Sequence, residues 1–114
     1  MAYSELLLET YVENVAGYPN LTVQIGKLQS RILENPYHYS HGLKEGKHRN
    51  LNGLRSVHMW GGKFVFLIAI CEDCVKNGHM TMNQKYCSDR CEQKELARVV
   101  FIGFNQHDVA YGKL

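Results

Sequence analysis

Four cysteines occur in the chain, in two close pairs: Cys71-Glu-Asp-Cys74 and Cys87-Ser-Asp-Arg-Cys91, with twelve residues between the pairs. Each pair can clamp one side of a tetrahedral ion, and zinc suits four thiolates. A shell closed by four protein ligands leaves no open position for catalytic water, so the chemistry implied is a structural Zn2+ site. The plainer alternative is four unligated core cysteines or a redox pair, but two close pairs at this separation seldom arise by accident. His79 lies between the pairs and could replace one cysteine, yet four thiols already complete the shell.

A second concentration of chemistry precedes the cysteines. Between His41 and Lys63 stand Lys44, Lys47, Arg49, Arg55 and Lys63 against the single acid Glu45, together with His41, His48 and His58. The formal charge of the whole chain is only +2, too small by itself to imply nucleic-acid binding, but nearly all of the surplus sits in this stretch. Between the cysteines, by contrast, Lys76, Lys85 and Arg90 nearly cancel Glu72, Asp73 and Asp89.

The elements that must position these groups can be read from periodicity. Leu8, Tyr11, Val12 and Val15 fall at helical spacing, and Ser4 with Glu5 suits a helix start, which predicts a first helix over 4–16. Gly17-Tyr18-Pro19-Asn20 breaks it, and Leu21, Ile25, Leu28 and Ile32 form a second stripe ending at Asn35-Pro36. The result is a helical hairpin. A polar, basic stretch through Asn52 reads as loop, after which Leu54 to Met59, the turn Gly61-Gly62 and the apolar run Lys63 to Ile70 predict a β-hairpin with a buried second strand. Beyond the cysteine-bounded segment 71–91 come a short helical stretch, Glu92 to Arg98, and a last strand, Val99 to Phe104. No strand is visible before Ser4, so the sheet is expected to be small or to borrow a strand from a partner.

A length of 114 residues suits one domain with one core, and 45% apolar with 21% charged residues is an ordinary globular balance. The N-terminus has no basic segment ahead of Leu6-Leu7-Leu8 and no small-residue cleavage site, which argues against secretion and for a cytoplasmic protein. In the cytoplasm clustered cysteines hold metal more often than they form disulfides.

Tyr86-Cys87-Ser88-Asp89-Arg90-Cys91 resembles the treble-clef knuckle written YCS-x-x-C in many zinc fingers. With the cysteine segment set aside, the chain resembles the RelE/ParE superfamily of toxins, in particular its RelE-like branch. Three segments carry the likeness: Ile32 to Tyr39, with its L-E-N-P; Gly53-Leu54-Arg55-Ser56-Val57-His58-Met59 followed by Gly62 to Ile68; and Val99 to Tyr111, whose closing His107-Asp108-Val109-Ala110-Tyr111 is like the family's H-D-x-V-Y tail. They cover about half the chain in the family's order. The resemblance implies an α+β fold, an N-terminal helical hairpin packed on a small antiparallel β-sheet, spanning 1–114 with a zinc-knuckle insertion at 71–98. It also implies the toxin of a type II toxin–antitoxin system. Such a toxin meets mRNA on the ribosome and cleaves it without a catalytic metal, and a cognate antitoxin covers its basic face.

The same resemblance assigns roles. Tyr111 matches a tyrosine that stacks on a base or orients the ribose 2′-hydroxyl, His107 a nearby basic or imidazole position, and His58 a strand position that is basic or histidine in relatives. Histidine near its natural pKa suits proton transfer. The plain readings are an exposed tail for the first two and a surface or core histidine for the third. Lys44, Lys47 and Arg49 resemble a phosphate-contacting loop, against the plain reading of a solvated loop. Arg55 and Lys63 flank the hairpin and could grip phosphates. Two departures stand out. Arg55 and His58 point to opposite faces of a regular strand, so a bulge is needed to unite them, and Phe64 stands near a position where active relatives carry arginine. Trp60, open between stacking on a base and packing over the sheet, receives no role. Two other classes stay in view: a ParE-like inhibitor of DNA gyrase that performs no chemistry, and a zinc-finger binding module on a RelE-like scaffold.

Replacing Cys87 with serine is expected to release zinc and unfold the 71–98 segment, because binding energy is folding energy in such sites. Zinc content and thermal stability measured together check this; a stable variant without metal refutes the site.

Overall fold

The computed structural model describes residues 3–42, 54–76 and 97–110, with backbone alone for 74–76. The strand Phe64–Ile70 (β4) reads Phe-Val-Phe-Leu-Ile-Ala-Ile, aromatic and β-branched residues that fit a pleated surface, and all seven of its residues are buried. Burial on both faces follows from its place at the centre of a five-stranded sheet whose strands, in spatial order, are Ser4–Leu7 (β1), Arg98–Gln106 (β5), β4, Arg55–Met59 (β3) and His41–Gly42 (β2). Its partners are Arg98–Gln106 (β5) and Arg55–Met59 (β3), both antiparallel to it, while the two-residue strand His41–Gly42 (β2) extends β3. Trp60 to Lys63 form the tight β3–β4 turn, with Gly61 and Gly62 at φ 67° and 92°, values that glycine adopts without a side-chain clash.

The two faces of the sheet have separate cores. On one face Phe64, Phe66 and Ile68 meet Val57, Met59, Val99, Phe101 and Phe104, and are covered by Tyr11, Ile25 and Ile32. Those last three come from the helices Glu9–Ala16 (α1) and Thr22–Glu34 (α2), the predicted hairpin, whose connection includes a 3-10 turn at Pro19–Leu21. Burying each such side chain contributes about 1.5–3 kcal/mol before entropy is counted, so this face carries much of the stability. On the opposite face Val65, Leu67 and Ala69 pack with Leu54, Val100, Ile102 and Ala110. Ala110 comes from the short closing helix His107–Ala110 (α5).

The N-terminus departs from the expected first helix. Ser4–Leu7 forms an edge strand (β1) that pairs in parallel with β5, Ser4 opposite Arg98 and Leu7 opposite Phe101, and the helix starts only at Glu9. The sheet is therefore mixed, and it supplies its own edge strand. Leu6 and Leu7 alternate between the two cores, an extended-chain placement that the local run of leucines did not reveal. Arg98, expected at the end of a helical stretch, belongs to β5 instead; the preceding 92–96 lie outside the described residues.

Where β1 ends, helix α1 takes over the open edge of β5. The Leu8 N–H donates to the Phe101 carbonyl at 3.1 Å. Thr10 Oγ1 donates to the Ile102 carbonyl at 2.6 Å, and the Phe104 N–H donates to Asn14 Oδ1 at 3.1 Å. Side chains thus satisfy backbone groups that an edge strand would otherwise leave unpaired. Gly103 permits this approach, since a Cβ there would stand 3.1 Å from Asn14 Oδ1. The ladder skips one residue at this point: Leu67 pairs with Gly103 and Ile68 with Phe101. The bulge is in β5 and not in β3.

Asn14→Ala leaves the Phe104 N–H unsatisfied and is expected to destabilise by about 1–3 kcal/mol, whereas Phe66→Ala, emptying the shared core, is expected to cost about 3–5 kcal/mol. Urea midpoints of the two variants check the size and the order.

Candidate functional site

Alternation along β3 and its pairing with β2 decide which side chains meet. His41 pairs with Ser56, and His58 follows two residues later on the same strand, so all three side chains face away from the helical hairpin. The closing helix α5 begins at the same end of the sheet, because the His107 N–H donates to the Lys63 carbonyl at 3.1 Å. The outcome is a row of three imidazoles drawn from three elements. The His41 and His58 ring centroids are 6.0 Å apart, and those of His58 and His107 are 6.2 Å apart.

The row has an electrostatic consequence. Although His58 remains exposed, partial desolvation of its ring lowers its pKa from the ordinary histidine value, and the neighbouring His41 and then His107 add to the effect. Desolvation first, and then its place between two other imidazoles, favour the neutral ring, which can accept a proton. Asp108 Oδ1 lies 3.2 Å from His107 Nδ1 and can orient that ring. His41 was counted in the basic stretch of the sequence but given no role; its placement depends on β2, a strand too short to leave a periodic signal.

Arg55 goes elsewhere. It lies on the opposite face from His58, as regular alternation requires, and no bulge in β3 reunites them. Its Nε donates to Ser40 Oγ at 2.6 Å, its Nη2 to the Ser40 carbonyl at 3.2 Å, and its Nη1 stands 3.5 Å from Asp73 Oδ2. The guanidinium also lies 5.1 Å from the centre of the Tyr37 ring. Tyr37, on the short helix Pro36–Tyr39 (α3), has its hydroxyl 2.8 Å from Glu72 Oε1 and 3.1 Å from Asp73 Oδ1, and its one proton is shared between the two carboxylates. Burial, followed by these two carboxylates, raises the Tyr37 pKa well above the usual phenol range. Arg55 is thus a tie between β3, α3 and the helix Cys71–Lys76 (α4), and not a phosphate clamp beside His58.

The remaining candidates divide between placed and unplaced. Lys63 is exposed in the β3–β4 turn, on the segment that holds His107. Cys71 opens α4 directly after β4, sharing its first turn with Cys74, and its Sγ accepts an N–H from Arg98 Nε at 3.5 Å. A thiolate ligand benefits from such a donor, so Cys71 fits a zinc site in this respect. Lys44, Lys47, Arg49, Cys87, Cys91, Tyr111 and the Cys74 side chain lie outside the described residues. Among the described residues no three His, Cys, Asp or Glu side chains form a metal-binding group. Phe64, where an arginine was expected in active relatives, is buried between Tyr18, Phe66 and Phe104. Trp60 has φ 55°, a left-handed backbone that costs a bulky residue about 1–2 kcal/mol. Its edge-to-face contact with Phe64 at 5.9 Å returns about 0.5–1.5 kcal/mol.

No protein-family model matches the chain, and none of the curated proteins matches it in sequence. In structure it is similar to a chain of the RelBE2 toxin–antitoxin complex of Mycobacterium tuberculosis, with 13% identity over 93% of this chain and 99% of that one and a TM-score of 0.59. The fold is therefore RelE-like. No helix among the described residues is long and apolar enough to cross a membrane.

A depressed histidine pKa means the unfolded chain binds the proton more readily than the folded one, so His58 contributes stability above about pH 6.5 that is lost as pH falls through its folded value. His58→Asn is expected to flatten that acid limb. NMR titration is expected to show the His58 midpoint moving upward in His41→Asn and, less, in His107→Asn; an unmoved midpoint refutes the coupling.

Proposed function

We propose that this protein is the toxin of a type II toxin–antitoxin pair and that it cuts mRNA on the ribosome by acid–base chemistry at the histidine row. The observation that carries the reading is the row that sets His58, its basicity lowered by desolvation and then by its neighbours, between two imidazoles on the face away from the helical hairpin. Cleavage next to a ribose needs a base to take the 2′-hydroxyl proton, so that the oxygen can attack the adjacent phosphorus. It also needs an acid to protonate the departing 5′-oxygen, and a cation for the charge that builds on the phosphoryl oxygens. His58 is the base, His107 the acid and Lys63 a cation at the edge of the row. The products are a 2′,3′-cyclic phosphate and a free 5′-hydroxyl, and the proton taken at one end is balanced by the one given at the other.

His41 supplies a further imidazole for the phosphate. This matters because Arg55 is committed to Asp73 and Ser40. The basic residues Lys44, Lys47 and Arg49 are read as contacts to the RNA backbone, and Tyr111 as the residue that stacks on a base or orients the 2′-hydroxyl, as the RelE resemblance implies. The antitoxin partner is supported by the same resemblance and by the neighbour's source in a toxin–antitoxin complex. Zinc at Cys71, Cys74, Cys87 and Cys91 has a structural part and takes no step in the reaction.

Induced expression of the wild type is expected to give codon-phased mRNA cleavage in cells. His58→Asn or a joint His107→Asn, Tyr111→Phe change is expected to slow cleavage by about 10²–10⁴-fold, the usual worth of a general acid or base, without loss of zinc or fold. Full toxicity in folded variants, or no cleavage by folded wild type, moves the reading to a toxin that acts by binding alone.

A further inference from the structure

We propose that Arg55 is a positioning residue for the histidine row: it grips Ser40 from the far face of β2 and so holds His41 beside His58. The part His41 takes in cleavage rests on the nuclease reading, but its placement does not. Strand β2 pairs through two residues only, His41 opposite Ser56 and Gly42 opposite Arg55, and a ladder so short at the edge of a sheet frays readily. His41 is exposed on it, yet its ring stands 6.0 Å from that of His58, the two planes inclined by 41°. Holding the ring there takes a contact beyond the ladder.

Alternation along the extended segment 40–42 supplies one. His41 faces the row, whereas Ser40 and Gly42 face the side that carries Arg55. A Cβ on Gly42 would stand 3.9 Å from Arg55 Nη1, so the arginine side chain lies over the glycine and reaches Ser40. There its Nε donates to Ser40 Oγ at 2.6 Å and its Nη2 to the Ser40 carbonyl at 3.2 Å. That carbonyl belongs to the peptide unit leading into His41, so the second bond fixes the backbone from which the imidazole projects. Ser40 is itself buried, and its hydroxyl accepts from Arg55 while donating to the Pro36 carbonyl at 2.6 Å. The other side of the guanidinium is steadied by Asp73 Oδ2 and the Tyr37 ring, which leave 20% of the Arg55 side chain exposed. A planar fork with two bonds to one residue is a geometry that a lysine ammonium does not reproduce.

The titratable neighbours of His58 are His41 on β2 and His107 on α5, with Asp108 beside the latter. Displacement of His41 is therefore read in the NMR titration of His58. Arg55→Lys keeps the positive charge and loses the fork, and it is expected to raise the His58 midpoint as far as His41→Asn does. In a His41→Asn background it is expected to add nothing, because changes that act through one ring are not additive. Amide signals of β4 report that each variant is folded. An unmoved midpoint in folded Arg55→Lys overturns the proposal, and so does a rise that persists in full in the His41→Asn background, since Arg55 then acts on His58 without His41. If the lysine variant does not fold, Ser40→Ala, which removes the Oγ contact and touches no charge, decides by the same two outcomes. With RNA, Arg55→Lys is expected to slow cleavage as much as His41→Asn does, roughly tenfold to a hundredfold, the worth of one hydrogen bond to a charged group. The two measurements separate the claims. A raised midpoint with no cleavage by wild type sinks the nuclease and leaves the placement of His41, whereas cleavage by wild type with an unmoved midpoint does the reverse.

Discussion

Seven consecutive buried side chains in β4 oblige this small sheet to be covered on both faces. The helical hairpin covers one face, through Tyr11, Ile25 and Ile32, and α5 contributes Ala110 to the other. With the middle of the sheet committed to packing, side chains free to meet a ligand are left at strand ends and turns. The histidine row sits at such a place, where the outer strands β2 and β3, the β3–β4 turn and the start of α5 converge. The rigidity of the packed centre is what holds three rings from separate elements at nearly equal spacing.

How much of this was legible in the sequence depended on how local the cause was. The hairpin helix α2, the strands β3 and β4 and the Gly61-Gly62 turn follow from periodicity and turn chemistry within a few residues. Strand β1 does not. Its partner Val99 to Phe101 is more than ninety residues away, and a parallel edge pairing leaves no mark on the Ser-Glu-Leu-Leu sequence beyond leucines that also suit a helix. The same limit hid His41, whose neighbours His58 and His107 are brought to it only by tertiary structure. Alternation, a local rule, did separate Arg55 from His58 correctly.

That separation shifts the electrostatics of the site. A guanidinium held by Ser40, Asp73 and the face of Tyr37 is spent on structure. At Phe64 an aromatic ring occupies the core in place of a cation. With Arg55 committed to structure and Phe64 in the core, the groups at this end of the sheet include His41, His58, His107, Asp108 and Lys63. Partial desolvation, and then the crowding of imidazoles, lowers the basicity of the central one, because a proton added there loses hydration and is repelled by its neighbours. His58, whose neutral form is the favoured one, thus stands between two imidazoles drawn from other elements.

The cysteine segment lies at the other end of the same strand. His58 pairs with Val65, near the start of β4, while Cys71 follows its last residue. Six residues of extended chain separate Val65 from Cys71, about 20 Å at the usual rise per residue. A metal held through Cys71 is too distant to touch a phosphate at the histidine row, so any influence must pass through the fold. The path is visible in the side chains: Glu72 and Asp73, next to Cys71 on α4, bind Tyr37 and Arg55, and Arg55 begins the strand that carries His58. Through that chain of contacts the cysteine segment and the histidine row share one support, though their chemistry is separate.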